Sequence, residues 1–363
     1  MGHARVIGLH RAPSSRALNL ADAQSLWSPS GIYLNTPSYG LPPQPGWDDL
    51  QAALADWHGG RTGWQHWGDP VETAREAFAA LVRAERSQVA IGATVSGLVG
   101  LVASSLPEGA RVVVPDIEFT STLFPFLVQP GLEVRTVEPA QLAEAIDEHT
   151  DFAAFSAVQM ATGEVADLDA ITRAAATHGV RTLVDATQAA GWLPLDATRF
   201  DFLVAAAYKW LMSPRGTAFM VVAPERLDGI LPSQAGWYAG EDVHDAYSGP
   251  PLRLASDARR LDTSPAWFSW VGTAPAIELI NEIGIDAIHE HDVGLANRFR
   301  AGLGLEPSNS AIVSTDHPGG AARLEAEGIR AAEVLGRLRT GWHVYNTKED
   351  ADRAVDVLQT TSG

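Results

Sequence analysis

Between residues 71 and 230 the chain changes its hydrophobic period repeatedly, and this alternation limits its possible folds more than any other feature. Short runs of branched apolar residues occur at SQVAIG (87–92), RVVVPD (111–116), EVRTVE (133–138), DFAAFSAV (151–158), RTLVDA (181–186), DFLVAAA (201–207) and AFMVVA (218–223). Between them lie stretches of helical period. In VETAREAFAALVRAE (71–85), Val71, Ala74, Phe78, Leu81 and Val82 share one face; VSGLVGLVASSL (95–106) ends near Pro107, and PAQLAEAIDEH (139–149) and LDAITRAAATHG (168–179) follow. Strands that are apolar nearly throughout need cover on both faces, and parallel neighbours need a crossover, most often a helix. The expected class is therefore α/β, with a mostly parallel sheet between helices. Ligands in such folds sit at the carboxyl ends of the strands, so the residues that end these runs are the first candidates for chemistry.

The pattern changes outside that region. Residues 231–272 are rich in Gly, Pro and Trp and read as irregular. Residues 274–303 read as one long helical region, followed by short strand-like pieces and a terminal helix over 347–359, which Thr347 and Asp350 open as a capping box. The expected division is an N-terminal segment (1–30), a large domain (31–255) and a smaller α+β C-terminal domain (256–363).

A formal charge of −18 and a pI near 4.9 argue against nucleic-acid or membrane-surface partners, since such a surface repels phosphate backbones and anionic lipid. The chain has no cysteine, which removes disulfides, thiolate metal sites, iron–sulfur clusters and cysteine nucleophiles. The first twenty residues lack the continuous apolar stretch of a signal peptide, and no run is long enough to span a bilayer, so the cytoplasm is the expected compartment.

Three strand-end features could carry chemistry. Lys209 follows an almost purely apolar strand in DFLVAAAYKWLMSPRG; its plain reading is a lysine reaching solvent. Asp185 ends RTLVD and precedes Gln188; it could simply cap the next helix. Thr94 opens an apolar helix in GATVSG, where a hydroxyl and free amides make an anion site, or an ordinary N-cap. Together they supply an amine for an imine, a carboxylate to keep a pyridine nitrogen protonated, and donors for a phosphate. Those are the needs of pyridoxal 5′-phosphate (PLP).

Their order along the chain resembles the class V aminotransferase family of PLP-dependent fold-type I enzymes, in its cysteine desulfurase and kynureninase-like branch. VDATQAAGWLPLD (184–196) and DFLVAAAYKWLMSPRGTAFMVV (201–222) resemble the family's core motif, LRTGWHVYNTKEDADRAV (338–355) its closing motif, and the likeness runs from YLNTPSYGLPP (33–43) to the last helix. The resemblance implies a seven-stranded sheet in the large domain, Lys209 as the Schiff-base lysine and Asp185 as the partner of the pyridine nitrogen. It further implies Gln188 beside the phenolic oxygen, Thr94 and Val95 in the phosphate loop, and Arg339 gripping a substrate α-carboxylate, a task suited to a bidentate guanidinium. Asn35 and Tyr39 become substrate-side candidates.

The departures from the family also carry meaning. Phe119 stands where desulfurases stack a histidine on the ring, and Ala206 and Tyr208 replace the usual Ser-x-His before the lysine. Without cysteine, a route through an enzyme persulfide is excluded. Phe119, VQMATG (158–163), Tyr208-Lys209 and GWYAGED (236–242) resemble kynureninase segments, which implies Tyr208 on the phosphate, Gln159 near the ring, and Trp237 and Ser264 reaching the site from a partner subunit of a homodimer. The family's Asn position falls on Met160, and its Gly-Thr is replaced by Ser264-Pro265.

The expected activity is that of a PLP-dependent enzyme on an α-amino acid, foremost an aminotransferase; the alternatives are a lyase or kynureninase-like cleavage of a C–S or C–C bond, and an epimerase. A metal role is not expected, because His289 and His291 diverge on a helix and His58 and His66 lack a ligand pattern. Trp57, Trp64 and Trp67 near Arg61 read as packing before pocket cover. A regulatory protein on the same fold would bring a basic DNA-binding region, and a dehydrogenase a Gly-x-Gly-x-x-Gly turn; the chain shows neither.

Overall fold

A computed structural model describes residues 18–360. Most of the stretch read for a leader pattern (1–17) lies outside the described residues. Seven strands form the main sheet: β1 (Val89–Gly92), β2 (Arg111–Pro115), β3 (Glu133–Val137), β4 (Phe152–Ser156), β5 (Arg181–Asp185), β6 (Phe202–Ala206) and β7 (Ala218–Val222). Their order is β1-β7-β6-β5-β4-β2-β3. Only β7 runs antiparallel, to both of its neighbours. Alternate residues of each strand feed two separate cores: Val113, Phe155, Val184 and Phe219 on one face, Val112, Ala154, Leu183 and Met220 on the other. β3 closes one edge, with Glu133 and Arg135 facing outward to discourage further pairing.

The helices of seven residues or more are α1 (Gln44–His58), α2 (Trp64–Leu81), α3 (Val95–Ser104), α4 (Thr120–Leu127), α5 (Leu168–His178), α6 (Trp267–Ile283), α7 (Ile285–Gly302), α8 (Gly320–Ala326) and α9 (Lys348–Gln359). Local chemistry sets their ends. Thr94 caps α3 by accepting from Gly97 N, Gly179 ends α5 in the left-handed region at φ 67°, and the Thr347–Asp350 capping box forms as read.

Several expected boundaries are corrected. The helix expected over 139–149 shrinks to a turn and Leu142–Ala145, because Asp147 draws the chain away by accepting from His149 N and Thr150 Oγ1. The long region 274–303 is two helices, which break at Gly284 (φ 91°), and α6 starts at Trp267, inside the span read as irregular. The helix expected over 71–85 begins earlier, at Trp64, and stops at Leu81 before Arg83 turns to φ 59°.

A second, antiparallel sheet has the order β9-β10-β8, with β8 Ile312–Thr315, β9 Ala332–Val334 and β10 Arg337–Gly341. It packs on α7 and α9 through Val313, Leu338, Phe299 and Leu358. Ile32–Tyr33 pairs with Ile329–Arg330 and Asn35 bridges to Gly341, so the segment leading to Tyr39 is anchored on this smaller unit.

Candidate active site

β4, β5 and β6 end side by side, and the polar residues gather at their carboxyl ends. Asp185, the last residue of β5, is 4% exposed. Its Oδ2 accepts from Thr122 Oγ1 of α4 (2.9 Å), and its Oδ1 accepts from the Thr187 amide (2.8 Å). These bonds fix the carboxylate and leave lone pairs for a donor in the cleft that Asp185 lines.

Past the end of β6 the chain forms a tight loop around Lys209. Ser213 N donates to Ala207 O (3.1 Å), Met212 N to Lys209 O (3.0 Å), Gly40 N to Tyr208 O (2.9 Å), and His343 Nε2 to Trp210 O (2.9 Å). Two glycines permit this crowding. A Cβ at Gly40 would lie 1.9 Å from Lys209 O, and one at Gly191 (φ 115°) would lie 2.4 Å from Trp210 O. The lysine is 6% exposed, with Nζ 5.4 Å from the centre of the Phe119 ring. Burial lowers its pKa from 10.5 to about 8; Asp185 opposes the shift, and the Arg339 and Arg215 cations add to it. Some neutral, nucleophilic amine is therefore present near neutral pH.

Thr94, Val95 and Ser96 line the same cleft. The first-turn amides of Val95 and Ser96 have no partner within α3 and offer an anion site. Thr94 is also the N-cap, so its plain reading and its cleft position hold together. Tyr208 lines the cleft as well, and burial raises its pKa. Phe119 sits at the start of α4 on the rim. Its segment is fixed by buried Glu118, which accepts from Phe119 N (2.8 Å), Ser156 N (2.7 Å) and Gln159 Nε2 (3.2 Å) and bonds the Ser156 hydroxyl. Gln159 thus serves Glu118, and burial raises the Glu118 pKa.

Gln188 has a defined amide orientation. The Trp210 indole N–H can only donate, so it meets Oε1 (2.8 Å), and the Pro37 carbonyl can only accept, so it meets Nε2 (3.0 Å). One Nε2–H remains for a ligand in the cleft.

Arg339 lies on β10, 3% exposed. It donates to Met160 O (3.0 Å) and Ser38 Oγ (2.8 Å), its buried Nε has no partner, and burial lowers its pKa to about 10. Met160 lines the cleft. Asn35 carries a buried Oδ1 without a partner. Tyr39 is exposed, its ring 5.3 Å from that of Tyr208.

Trp237 and Ser264 are not among the residues lining this chain's cleft. Trp237 packs on Trp64 (5.1 Å) and Tyr247 (5.2 Å), Trp57 and Trp67 both pack on Phe268, and Ser264 is exposed. His289 stacks on Trp192 and His291 meets the Asn346 carbonyl; the described residues hold no cluster of His, Cys, Asp and Glu suited to a metal.

The sequence reading missed Glu118, Thr122, Thr187, Ser38 and Arg215. Glu118, beside Phe119, and Arg215, in the SPRG stretch after Lys209, lie close enough to named residues to have been found. Thr122 carried no signal, because its partner is 63 residues away.

The cleft has about 660 Å³ of free space, part of it open to solvent. A buried amine, a carboxylate held by two donors, free helix amides and a flat aromatic face suit a phosphorylated pyridine aldehyde. The Aminotransferase class-V family profile matches residues 58–340. An uncharacterised aminotransferase of Bacillus subtilis (strain 168) is 30% identical over 322 residues, covering 82% of this chain and 85% of that protein. The isopenicillin N epimerase of Streptomyces clavuligerus is 29% identical over 343 residues, covering 80% and 84%. Probable cysteine desulfurases and kynureninases are also among the relatives. In fold, the chain matches a cystine C-S lyase solved with cysteine persulfide, with a TM-score of 0.81 at 20% identity over 91% of this chain and 97% of that one.

Proposed function

The chain belongs to the class-V aminotransferase family and is a PLP-dependent enzyme, and from that premise we propose that it transaminates an α-amino acid at Lys209. One observation carries the reading: Lys209 is the one amine lining the cleft, it is buried there beside Asp185, and burial lowers its pKa to about 8. A single base can take a proton from one carbon and return it to a nearby one, as transamination requires.

When bound, the cofactor supplies an aldehyde that condenses with an amine and an electron-poor ring that accepts the electron pair left at Cα. Asp185 would hold a proton at the ring nitrogen, and Thr122 and Thr187 keep that carboxylate in place. The Val95 and Ser96 amides and the Thr94 hydroxyl would receive the phosphate, and Phe119 would shield the ring from water. Arg339, desolvated and without an acidic partner, binds the substrate α-carboxylate through its free Nε edge. Lys209 Nζ, as a free amine in the cleft, would remove the Cα proton. We further propose a homodimer in which Trp237 and Ser264 reach the partner's cleft; a monomer in light scattering would remove that assignment.

Epimerisation is the second reading, favoured by the likeness to two isopenicillin N epimerases. It needs a proton delivered to Cα from the face opposite its removal. The chain has two lysines, Lys209 and Lys348, and Lys348 opens α9 on the surface, so borohydride labelling has a clear answer. Reduction should fix the cofactor on the peptide bearing Lys209, and Lys209→Ala should lose both label and turnover, by about 10²-fold or more. An amino-acid panel should then release 2-oxo acids with intact side chains. Inverted amino acid carrying solvent deuterium, without oxo acid, would establish the epimerase instead.

A further inference from the structure

Two cations flank Lys209, and neither has an acidic partner. Arg75, Arg226 and Arg298 each grip a carboxylate, whereas among the described residues no ion pair joins Arg215 or Arg339 to one. Other described arginines, Arg83, Arg253 and Arg337 among them, also lack an ion pair, but Arg215 and Arg339 are the two whose charges bear on Lys209. Arg339 is the buried one. Arg215 is exposed, lines the mouth of the cleft and lowers the Lys209 pKa.

Arg215 is oriented without being neutralised. Its Nη1 donates to Tyr39 Oη (3.1 Å), and its Cζ lies 4.7 Å from the centre of the Tyr208 ring. A stacked guanidinium keeps a fixed plane and retains donors for a planar anion. The two arginines are tied to consecutive residues of one loop, Arg339 to Ser38 and Arg215 to Tyr39. One rigid segment thus spaces a deep anion receptor from a shallow one.

We propose that Arg215 receives the distal acid of a dicarboxylic α-amino acid, whose α-carboxylate occupies Arg339. The proposal rests on the amino-acid reading above and narrows it to acidic substrates. The cofactor phosphate is the other anion that could draw on the same donors, and the test separates the two.

Holoenzyme is titrated, by its visible absorbance, with aspartate against asparagine, glutamate against glutamine, and 2-aminoadipate against its side-chain amide. Each pair exchanges an acid for an amide of the same shape. The acid should bind about tenfold tighter, as expected for hydrogen bonds to a charged group. Arg215→Gln should erase that ratio and Arg215→Lys should keep part of it, while cofactor affinity, from equilibrium dialysis of the apoprotein, stays within about twofold of wild type. Equal binding of acid and amide by the wild type overturns the proposal. So does an Arg215→Gln variant that loses cofactor affinity but keeps the acid-to-amide ratio, since the anion there would be the phosphate. Failure of the parent reading looks different: no amino acid perturbs a cofactor that is fixed on Lys209, which would overturn both.

Discussion

At position 209 the cost of burying an ammonium outweighs its attraction to Asp185, and the Arg339 and Arg215 cations push the same way, so the pKa falls to about 8. At pH 7 about a tenth of this amine is neutral, against about one part in three thousand for an ordinary lysine. The rate at which apoprotein captures the cofactor aldehyde should therefore rise with pH around a midpoint of about 8. The Asp185 charge favours the protonated amine, so Asp185→Asn should move the midpoint lower. A stopped-flow midpoint near 10 would contradict this account. The linkage has a matching sign: the unfolded chain holds its Lys209 proton up to 10.5, so ligand-free stability gained from this group rises with pH between about 8 and 10.5.

Among the elements, the loop after β6 depends on glycines that lie far away in sequence. Gly191 combines φ 115° with a backbone carbonyl 2.4 Å from where a Cβ would sit, and neither atom belongs to a flexible side chain. Gly191→Ala should cost about 2 kcal/mol or more in urea unfolding and loosen cofactor binding, since the displaced carbonyl is that of Trp210, next to Lys209. A shift under about 0.5 kcal/mol would mean that the loop relaxes freely. Elements governed by neighbouring residues were legible in the sequence: all seven strands of the main sheet appear within a residue or two of their expected ends, and Thr94 and Thr347 cap the helices they were read to cap. Failures came where a single polar contact or glycine interrupted a good period, at Asp147 and Gly284. Apolar period alone does not register such a break.

Across the molecule, buried Asp292 and His343 join the smaller unit to the lysine loop. His343 Nε2 must carry a proton to reach the Trp210 carbonyl, so a second proton lies between Nδ1 and Asp292 Oδ2 (2.7 Å). Burial raises the Asp292 pKa, and its other oxygen has no partner. Asp292→Ala leaves half of a buried pair and should cost about 3–5 kcal/mol in chemical denaturation. It should also weaken cofactor retention, because the His343 contact ends on the residue beside Lys209. Unchanged stability together with unchanged retention would show that the two units hold their positions without this bolt.

The sequence by itself determined the α/β class, the main strands, the strand-end position of Asp185 and the place of Lys209 just beyond β6, because period and turn chemistry act between near neighbours in the chain. It also carried the family likeness, through motifs that are contiguous. Only the tertiary structure decided which polar groups meet: Thr122 on Asp185, Glu118 on Ser156, Gly40 against Lys209, and Ser38 and Tyr39 holding two separate arginines. Those partners are brought together by how helices and strands pack, and sequence spacing does not encode a distance across the core.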